Sequence, residues 1–238
     1  MNLEKYQQYS RIARGLEKAD LVLKDARIVN VFTEEIIRGD IAIQDGIIAG
    51  IGSFHGKEER DLAGRYVCPG FIDSHLHLES TLVTPAELVT VASRHGTTTF
   101  IVDPHESANV SGLAGVDYIL DQTENVKANV YVMMPSCVPA TSIDDNGCTL
   151  TAEDMAPYLH NSRILGLGEV MDSISVVQGE KSMHDKLELF EGRIRDGHAP
   201  FLEEGDLQAY AMAGIATDHE CSFFDYAMRE RRNGLPFS

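Results

Sequence analysis

Two histidines two residues apart, His75 and His77, stand in the run Pro69-Gly70-Phe71-Ile72-Asp73-Ser74-His75-Leu76-His77-Leu78-Glu79-Ser80. The stretch from Val67 to Leu78 reads as a strand entered through a Pro-Gly turn. Side chains alternate faces along a strand, so both imidazoles point one way. Leu76 and Leu78 point the other way, where apolar side chains can pack. Two imidazoles so placed can bind a single metal ion. A hydrolytic metal site would need further ligands from downstream.

Later strand-like runs end in residues suited to that role. Thr97–Asp103 ends in Asp103-Pro104-His105-Glu106, and Val130–Pro135 leads into Ser136-Cys137. Ile164–Val170 carries Glu169 after an apolar run, Arg193–His198 ends in Asp196-Gly197-His198, and Gly214–His219 ends in Asp218-His219-Glu220. Neutral imidazoles with a carboxylate suit Zn, Mn or Fe(II). A carboxylate such as Glu169 has two oxygens and can bridge two ions, which together lower the pKa of bound water toward about 7. The hydroxide so activated would attack an sp² carbon, with a nearby acid/base carrying the proton to the leaving group. His55, His95, His160 and His184 fall in expected loops or helices and read as surface residues.

The elements that must position these groups come in two textures. Residues 2–19 look like an amphipathic helix, followed by strands over Leu21–Phe32, Asp40–Ile43 and Gly46–Ile51, the last two joined by the turn pair Asp45-Gly46. Residues 1–66 therefore read as a leading helix and a small β-rich domain. From 67 to 238 strand and helix alternate, with strand starts separated by roughly 20 to 35 residues, the length of a βα unit. Helix starts are expected at Thr84-Pro85-Ala86-Glu87, a capping-box pattern with Pro at the first helical position, and at Thr151, Ser182 and Ser222, each followed by Asp three residues on. Repeated βα units imply parallel strands with right-handed crossovers. An α/β fold of (β/α)8 type is the natural reading, with a doubly wound sheet as runner-up. About six βα units are visible, and a seventh strand is expected to begin near Leu235-Pro236-Phe237-Ser238.

Composition narrows the functions. The formal net charge of −17, from 37 acidic and 20 basic residues, disfavours nucleic acid or an anionic membrane as partner, though not a neutral nucleobase. Cys68, Cys137, Cys148 and Cys221 show no C-x-x-C spacing and read as reduced thiols of a cytoplasmic protein. The polar start, Met1 to Tyr9, does not read as a signal peptide, and no apolar run approaches a membrane span.

At this point the chain resembles the amidohydrolase superfamily, through Pro69-Gly70-Phe71-Ile72-Asp73, His75-Leu76-His77 and the later Glu169, His198 and His219. Within it, longer blocks resemble the bacterial-type adenine deaminases: His77-Leu78-Glu79-Ser80, Gly96-Thr97-Thr98-Thr99, Asp103-Pro104-His105-Glu106, Pro135-Ser136-Cys137-Val138-Pro139-Ala140, Gly166-Leu167-Gly168-Glu169-Val170-Met171-Asp172, Asp196-Gly197-His198-Ala199-Pro200 and Asp218-His219-Glu220. The resemblance implies hydrolysis of adenine to hypoxanthine and ammonia at a binuclear site, with Mn first and Fe(II) or Zn as alternatives. It implies that His75 and His77 hold one ion, His198 and His219 the other, and that Glu169 bridges them. Asp103 and Glu106 would join Glu169 in catalysis, and His105, Glu79 and Ser136 would bind substrate. Residues 1–66 would belong to the β-sandwich that flanks the barrel in this superfamily.

Members of that family are longer and carry barrel strands seven and eight, including a strand-eight Asp that binds metal and serves as acid/base. The expectation is a truncated or split enzyme, inactive or nearly so alone, whose partner is a homo-oligomer mate or a complementing C-terminal fragment. Two alternatives stay open. One is another amidohydrolase acting on a cyclic amide or amino sugar, although a dihydroorotase-like site uses a carboxylated Lys where Glu169 stands. The other is a non-catalytic metal-binding remnant or subunit.

Overall fold

The computed structural model describes residues 1–141 and 143–236. They fall into two units, Met1–Pro69 and Gly70–Ser238.

In the first unit, helix α1 spans Leu3–Ala13, and the Asn2 side chain caps it by accepting from the Lys5 N–H at 2.9 Å. It stops well short of residue 19 because Gly15 takes φ +71°. The Gly15 N–H then reaches the Ile12 carbonyl at 2.8 Å and the Leu16 N–H reaches Arg11 at 2.9 Å, a Schellman ending. Strands β1 (Ala19–Asn30), β2 (Glu35–Gln44), β3 (Ile47–Gly52) and β4 (Gly56–Asp61) lie in the order β3-β2-β1-β4, and β5 (Tyr66–Val67) also pairs with β1. Asp45 and Gly46 both have positive φ, as a two-residue hairpin turn with right-handed strand twist requires. A bulge in β1 at Lys24-Asp25 brings the Lys24 ammonium onto buried Asp40. The Asp40 carboxylate also accepts from the Phe54 and Asp25 N–H groups, each at 3.1 Å. Ile12, Ala19, Val22, Ala42 and Phe54 form one apolar core.

The strand expected over Val67–His77 is divided. Val67 ends β5 in the first unit, and the next strand, β6 (Phe71–Leu76), opens the second. Pro69 has no N–H for a ladder, so the break falls there.

In the second unit, β6, β7 (Thr97–Val102), β8 (Asn129–Met134), β9 (Ile164–Val170) and β10 (Ile194–Gly197) form a parallel sheet in sequential order. A doubly wound sheet reverses its strand order at a switch point, so sequential order marks the barrel alternative. Between and after the strands run helices α2 (Pro85–Ser93), α3 (His105–Ser111), α4 (Leu113–Gln122), α5 (Ala152–Met155), α6 (Ser173–Gln178), α7 (Lys181–Leu189), α8 (Glu204–Met212) and α9 (Phe224–Arg232). Phe100, Val132, Met134, Leu167 and Val170 from the strands pack with Val116, Ile119, Leu187 and Leu207 from the helices.

Several expected details differ. Pro85 does open α2, but the Thr84 hydroxyl makes no capping bond, whereas Thr151 and Asp154 form the full reciprocal box. Helix α7 starts at Lys181 with Glu180 as its cap, and α9 starts after Phe223, so Ser182 and Ser222 are not the caps. Of the expected sixth strand, Gly214–His219, the described residues show a parallel bridge between Asp196 and Thr217 and a further bridge position at Asp218, whose N–H reaches the Pro236 carbonyl at 3.2 Å. Phe237 and Ser238, where a seventh strand was expected to begin, lie outside the described residues. Among the described residues, no helix is long and apolar enough to cross a membrane.

Candidate metal centre

Glu169 is the hub. Its side chain is 3% exposed, and its two oxygens face different pairs of histidines. Oε1 lies 2.9 Å from Nε2 of His75 and 2.9 Å from Nε2 of His77. Oε2 lies 3.0 Å from Nδ1 of His198 and 3.7 Å from Nε2 of His219. His75 follows from β6 and His219 from the bridge beyond β10, yet their rings stack with centroids 3.7 Å apart. Side chains from both margins of a sequential parallel sheet meet in this way only if the sheet curls.

Local structure fixes the hub. The Asp103 Oδ2, at the end of β7, accepts from the Glu169 N–H at 2.8 Å. Gly168 permits that approach: a Cβ there would lie 2.6 Å from the Asp103 Cγ. The Ser136 hydroxyl donates to the Glu169 carbonyl, and Lys186 Nζ donates to the Ser136 carbonyl at 2.6 Å. His77 donates through Nδ1–H to the Asp103 carbonyl at 2.8 Å, which turns its Nε2 toward Glu169. The Tyr210 hydroxyl donates to the Val170 carbonyl at 2.6 Å and accepts from the His198 N–H at 3.0 Å, tying the end of β9 to the end of β10.

The five residues expected as ligands thus converge: His75, His77, Glu169, His198 and His219. His105 joins them, its Nδ1 3.6 Å from Glu169 Oε1 and 3.8 Å from Asp103 Oδ2. The other expected site residues lie elsewhere. Ser136 is buried and engaged with the Glu169 backbone. Glu79 accepts from the Ser107 N–H at 3.3 Å, and its other oxygen is buried without a partner among the described residues. Glu106 is exposed and accepts from the Ser80 hydroxyl. Neither Glu79 nor Glu106 forms an ion pair with the histidines. His184, expected at the surface, is half-buried with Nε2 2.9 Å from the Val176 carbonyl.

Two acidic groups at the centre had no assigned role. Asp196 places Oδ2 3.4 Å from His75 Nδ1 and 3.6 Å from His219 Nδ1, while its Oδ1 accepts from the Thr217 hydroxyl at 2.5 Å. Strand alternation puts Asp196 on the face of His198, which was the available signal. Glu220 lies 3.8 Å from both His198 Nδ1 and His219 Nε2.

Charge and burial compete here. Burial works against an imidazolium at His77, but Glu169 and the Asp103 carbonyl outweigh it and raise the pKa to about 9. At His219 burial is likewise outweighed, by Asp196 and Glu169, and the pKa rises to about 10. His75 and His105 move upward for the same reason, with Asp196 and Glu169 beside the first and Asp103 beside the second. Burial would lift the two carboxyls, but the adjacent imidazoles of His198, His219, His75 and His77 hold Glu169 far below the usual range. The imidazoles of His219 and His75, with the Thr217 hydroxyl, hold Asp196 at about 2. The cluster calls for positive charge at its centre, and protons or a cation can supply it.

The donor atoms fit a cation. Ligands bonded to one ion at about 2.0–2.1 Å in tetrahedral array lie about 3.3 Å apart, and the nitrogens and oxygens around Glu169 stand 2.9 to 3.7 Å from it. Glu169 Oε1 and His198 Nδ1 are buried yet have no hydrogen bond of acceptable direction among the described residues. Close approach without hydrogen-bond alignment is the arrangement of lone pairs that converge on an ion. Three three-donor sets share Glu169: His75, His77 and Glu169; Glu169, His198 and His219; and Asp103, His105 and Glu169; a fourth set joins His75, Asp196 and His219.

Residues 66–233 match the family model described as the amidohydrolase family. The chain belongs to that family. Among solved structures, the N-acyl-D-glutamate deacylase of Bordetella bronchiseptica, complexed with zinc and a phosphonate inhibitor, superposes with a TM-score of 0.58 at 17% identity, over 93% of this chain and 58% of that one. The Aspergillus niger ochratoxinase gives 0.54 at 15% identity, over 92% and 65%. These likenesses establish the fold. Curated relatives are closer: the adenine deaminase of Desulfitobacterium hafniense is 57% identical over 99% of this chain and 41% of its own length. The adenine deaminase of Clostridium acetobutylicum is 48% identical over 94% and 40%. This amidohydrolase chain therefore spans about two fifths of the length of the curated relatives it matches. The family implies a divalent metal, and the histidine–glutamate cluster is where this chain would hold it.

Proposed function

We propose that the chain carries the metal-binding part of a hydrolytic deaminase that converts adenine to hypoxanthine and ammonia. The observation that carries the proposal is Glu169 with a histidine pair on each oxygen, in a chain whose relatives at 45–57% identity are named adenine deaminases. His75 and His77 would hold one divalent ion and His198 and His219 the second, with Glu169 between them. Manganese is the first choice and Fe(II) or Zn the alternatives. Bound there, the ions would supply a water of pKa near 7 as nucleophile.

The protein's own groups do the rest. Asp103 and Ser136 hold the Glu169 backbone from both sides, so the carboxylate keeps one oxygen toward each histidine pair. The His77 Nδ1–H bond to the Asp103 carbonyl fixes the tautomer that leaves Nε2 as donor. Glu220, part-exposed beside His198 and His219, is the carboxylate placed to exchange a proton with the amine that departs. A neutral purine enters without the repulsion that a net charge of −17 would impose on phosphates.

The test is hydrolysis of adenine, guanine, adenosine and a cyclic amide, read as ammonia release for the aminopurines and as loss of the ring absorbance for the cyclic amide, by the manganese-loaded protein that contains this sequence, beside its Glu169→Gln variant. Adenine should be the preferred substrate and the variant should be inactive. Preference for the cyclic amide, or no effect of Glu169→Gln, overturns the proposal.

A further inference from the structure

The carboxylate of Asp196 stands behind the cluster, on the far side of two of its rings. His75 directs Nε2 to Glu169 Oε1 at 2.9 Å and Nδ1 to Asp196 Oδ2 at 3.4 Å. His219 directs Nε2 to Glu169 Oε2 at 3.7 Å and Nδ1 to the same Asp196 oxygen at 3.6 Å. The rings are nearly parallel, 22° apart with centroids 3.7 Å apart, so both Nδ1 edges lie near one carboxylate oxygen at ion-pair distance, without a formed hydrogen bond, and His219 Nδ1 is buried with no hydrogen-bond partner among the described residues. The second Asp196 oxygen is taken by the Thr217 hydroxyl at 2.5 Å, and the residue is 5% exposed. His75 belongs to the donor set on Glu169 Oε1 and His219 to the set on Oε2.

From this we infer that Asp196 is a positioning residue that couples the two halves of the metal centre: one carboxylate oxygen orients His75 and His219 together, each with Nε2 inward. The inference rests on the metal-centre reading above. A ring nitrogen that faces a metal leaves its partner nitrogen as an N–H donor, and a carboxylate behind that N–H fixes both tautomer and ring orientation. Usually one carboxylate serves one histidine. Here one serves a histidine from each half, so a single change should loosen both ions at once. Asn in its place keeps the shape and removes the charge: its oxygen can accept from the imidazoles while its NH₂ donates to the Thr217 hydroxyl, and a neutral acceptor holds the two ring N–H groups less strongly than a carboxylate.

The experiment measures zinc uptake by the protein that contains this sequence, by competition with a chromophoric chelator, for wild type, Asp196→Asn, Thr217→Val and His77→Ala. Circular dichroism confirms that each variant is folded. Wild type should take up two ions. Asp196→Asn should still take up two at saturation, each bound about 10- to 100-fold more weakly. Thr217→Val, which frees the carboxylate without removing it, should move both steps in the same direction by less, and it carries the test if Asp196→Asn does not fold. His77→Ala should instead weaken one step and leave the other nearer wild type. With zinc bound, long-range ¹H–¹⁵N spectra should place the proton on Nδ1 of His75 and His219 in wild type and show mixed assignments in Asp196→Asn. A purely structural role would not move that signature. If both Asp196→Asn and Thr217→Val bind as wild type, or Asp196→Asn weakens one step alone, the coupling is refuted. If wild type itself takes up no zinc, the metal-centre reading falls, and the inference with it.

Discussion

Gly168→Ala tests how the hub is held. Gly168 sits in β9 without a positive φ, so alanine suits its backbone, and in open space the change would stabilise the chain by about 0.4–1 kcal/mol. The space is not open. The new Cβ would collide first with Asp103 Oδ2, the oxygen that holds the Glu169 N–H, and lie 2.6 Å from its Cγ, so that carboxylate must retreat by about 1.2 Å to reach ordinary contact at 3.4 Å. Asp103 is buried and accepts from the Glu169 N–H at 2.8 Å, so it cannot retreat without stretching that bond. Overpacking costs about 1–3 kcal/mol, and a weakened hydrogen bond to a buried charge about 1.5–3 kcal/mol. A total of about 2.5–6 kcal/mol is a large share of the 5–15 kcal/mol that holds a typical domain. The assay is urea denaturation with and without zinc, beside zinc affinity. Gly179→Ala is the control: its Cβ meets nothing within 4 Å, its φ of +75° adds only local strain, and it lies off the cluster. Gly168→Ala should unfold at lower urea than the control and bind zinc at least tenfold more weakly, because Glu169 is displaced with its backbone. If the two alanine variants match in both measurements, the clash is not what positions Glu169.

Two further outcomes follow from the charges. With His77 at about 9 and His219 at about 10, the metal-free chain carries both protons at pH 7, so zinc uptake should expel them. Calorimetry in buffers of different ionisation enthalpy should count at least two protons released, and affinity should rise with pH up to about 10; pH-independent binding refutes the charge balance. Both folded-state values lie above the ordinary value of about 6.5. Their stabilisation of the metal-free chain is therefore complete below about pH 6.5 and lost as pH rises through 9 to 10, whereas Asp196, held at about 2, gives stability that fails only as pH falls toward 2. In the first unit, Asp40→Ala removes the acceptor of Lys24 Nζ and of the Phe54 and Asp25 N–H groups. It should cost about 1–3 kcal/mol, read as a lower urea midpoint at unchanged slope, and an unchanged midpoint would show that water replaces the carboxylate.

What could be read from the sequence depended on how far each signal reached along the chain. The strand-end ligands were legible because alternation and the βα spacing are local, and the site of such folds lies at strand ends. The sequential parallel order likewise followed from repeated βα units. Strand β4, Gly-Lys-Glu-Glu-Arg-Asp, was invisible because all but its first residue are exposed; it pairs through backbone alone and leaves no apolar period to find. Helix α1 ended early at Gly15, a signal present in the sequence but outvoted by the amphipathic pattern around it. The caps at Ser182 and Ser222 failed because a capping pattern states a preference, and packing set the actual starts at Lys181 and Phe224.

The contacts that sequence reasoning passed over share one property: they act across the curl of the sheet. Asp196 reaches His75 from a strand four positions away in the sheet, and Asp103 holds the backbone of Glu169 across 66 residues of chain. No periodicity along one strand reports such a contact. Glu79 and Glu106 show the converse. They sit in the same short motifs as His77 and His105, yet hydrogen-bond to Ser107 and Ser80 instead of the histidines. Proximity in sequence suggested a shared role, but Glu79 lies three residues past β6 and Glu106 four past β7, in helical turns that aim them elsewhere. Which side chains converge is written in strand alternation, but how they are oriented is written in the closure of the sheet, and only the second decides which carboxylates reach the histidines.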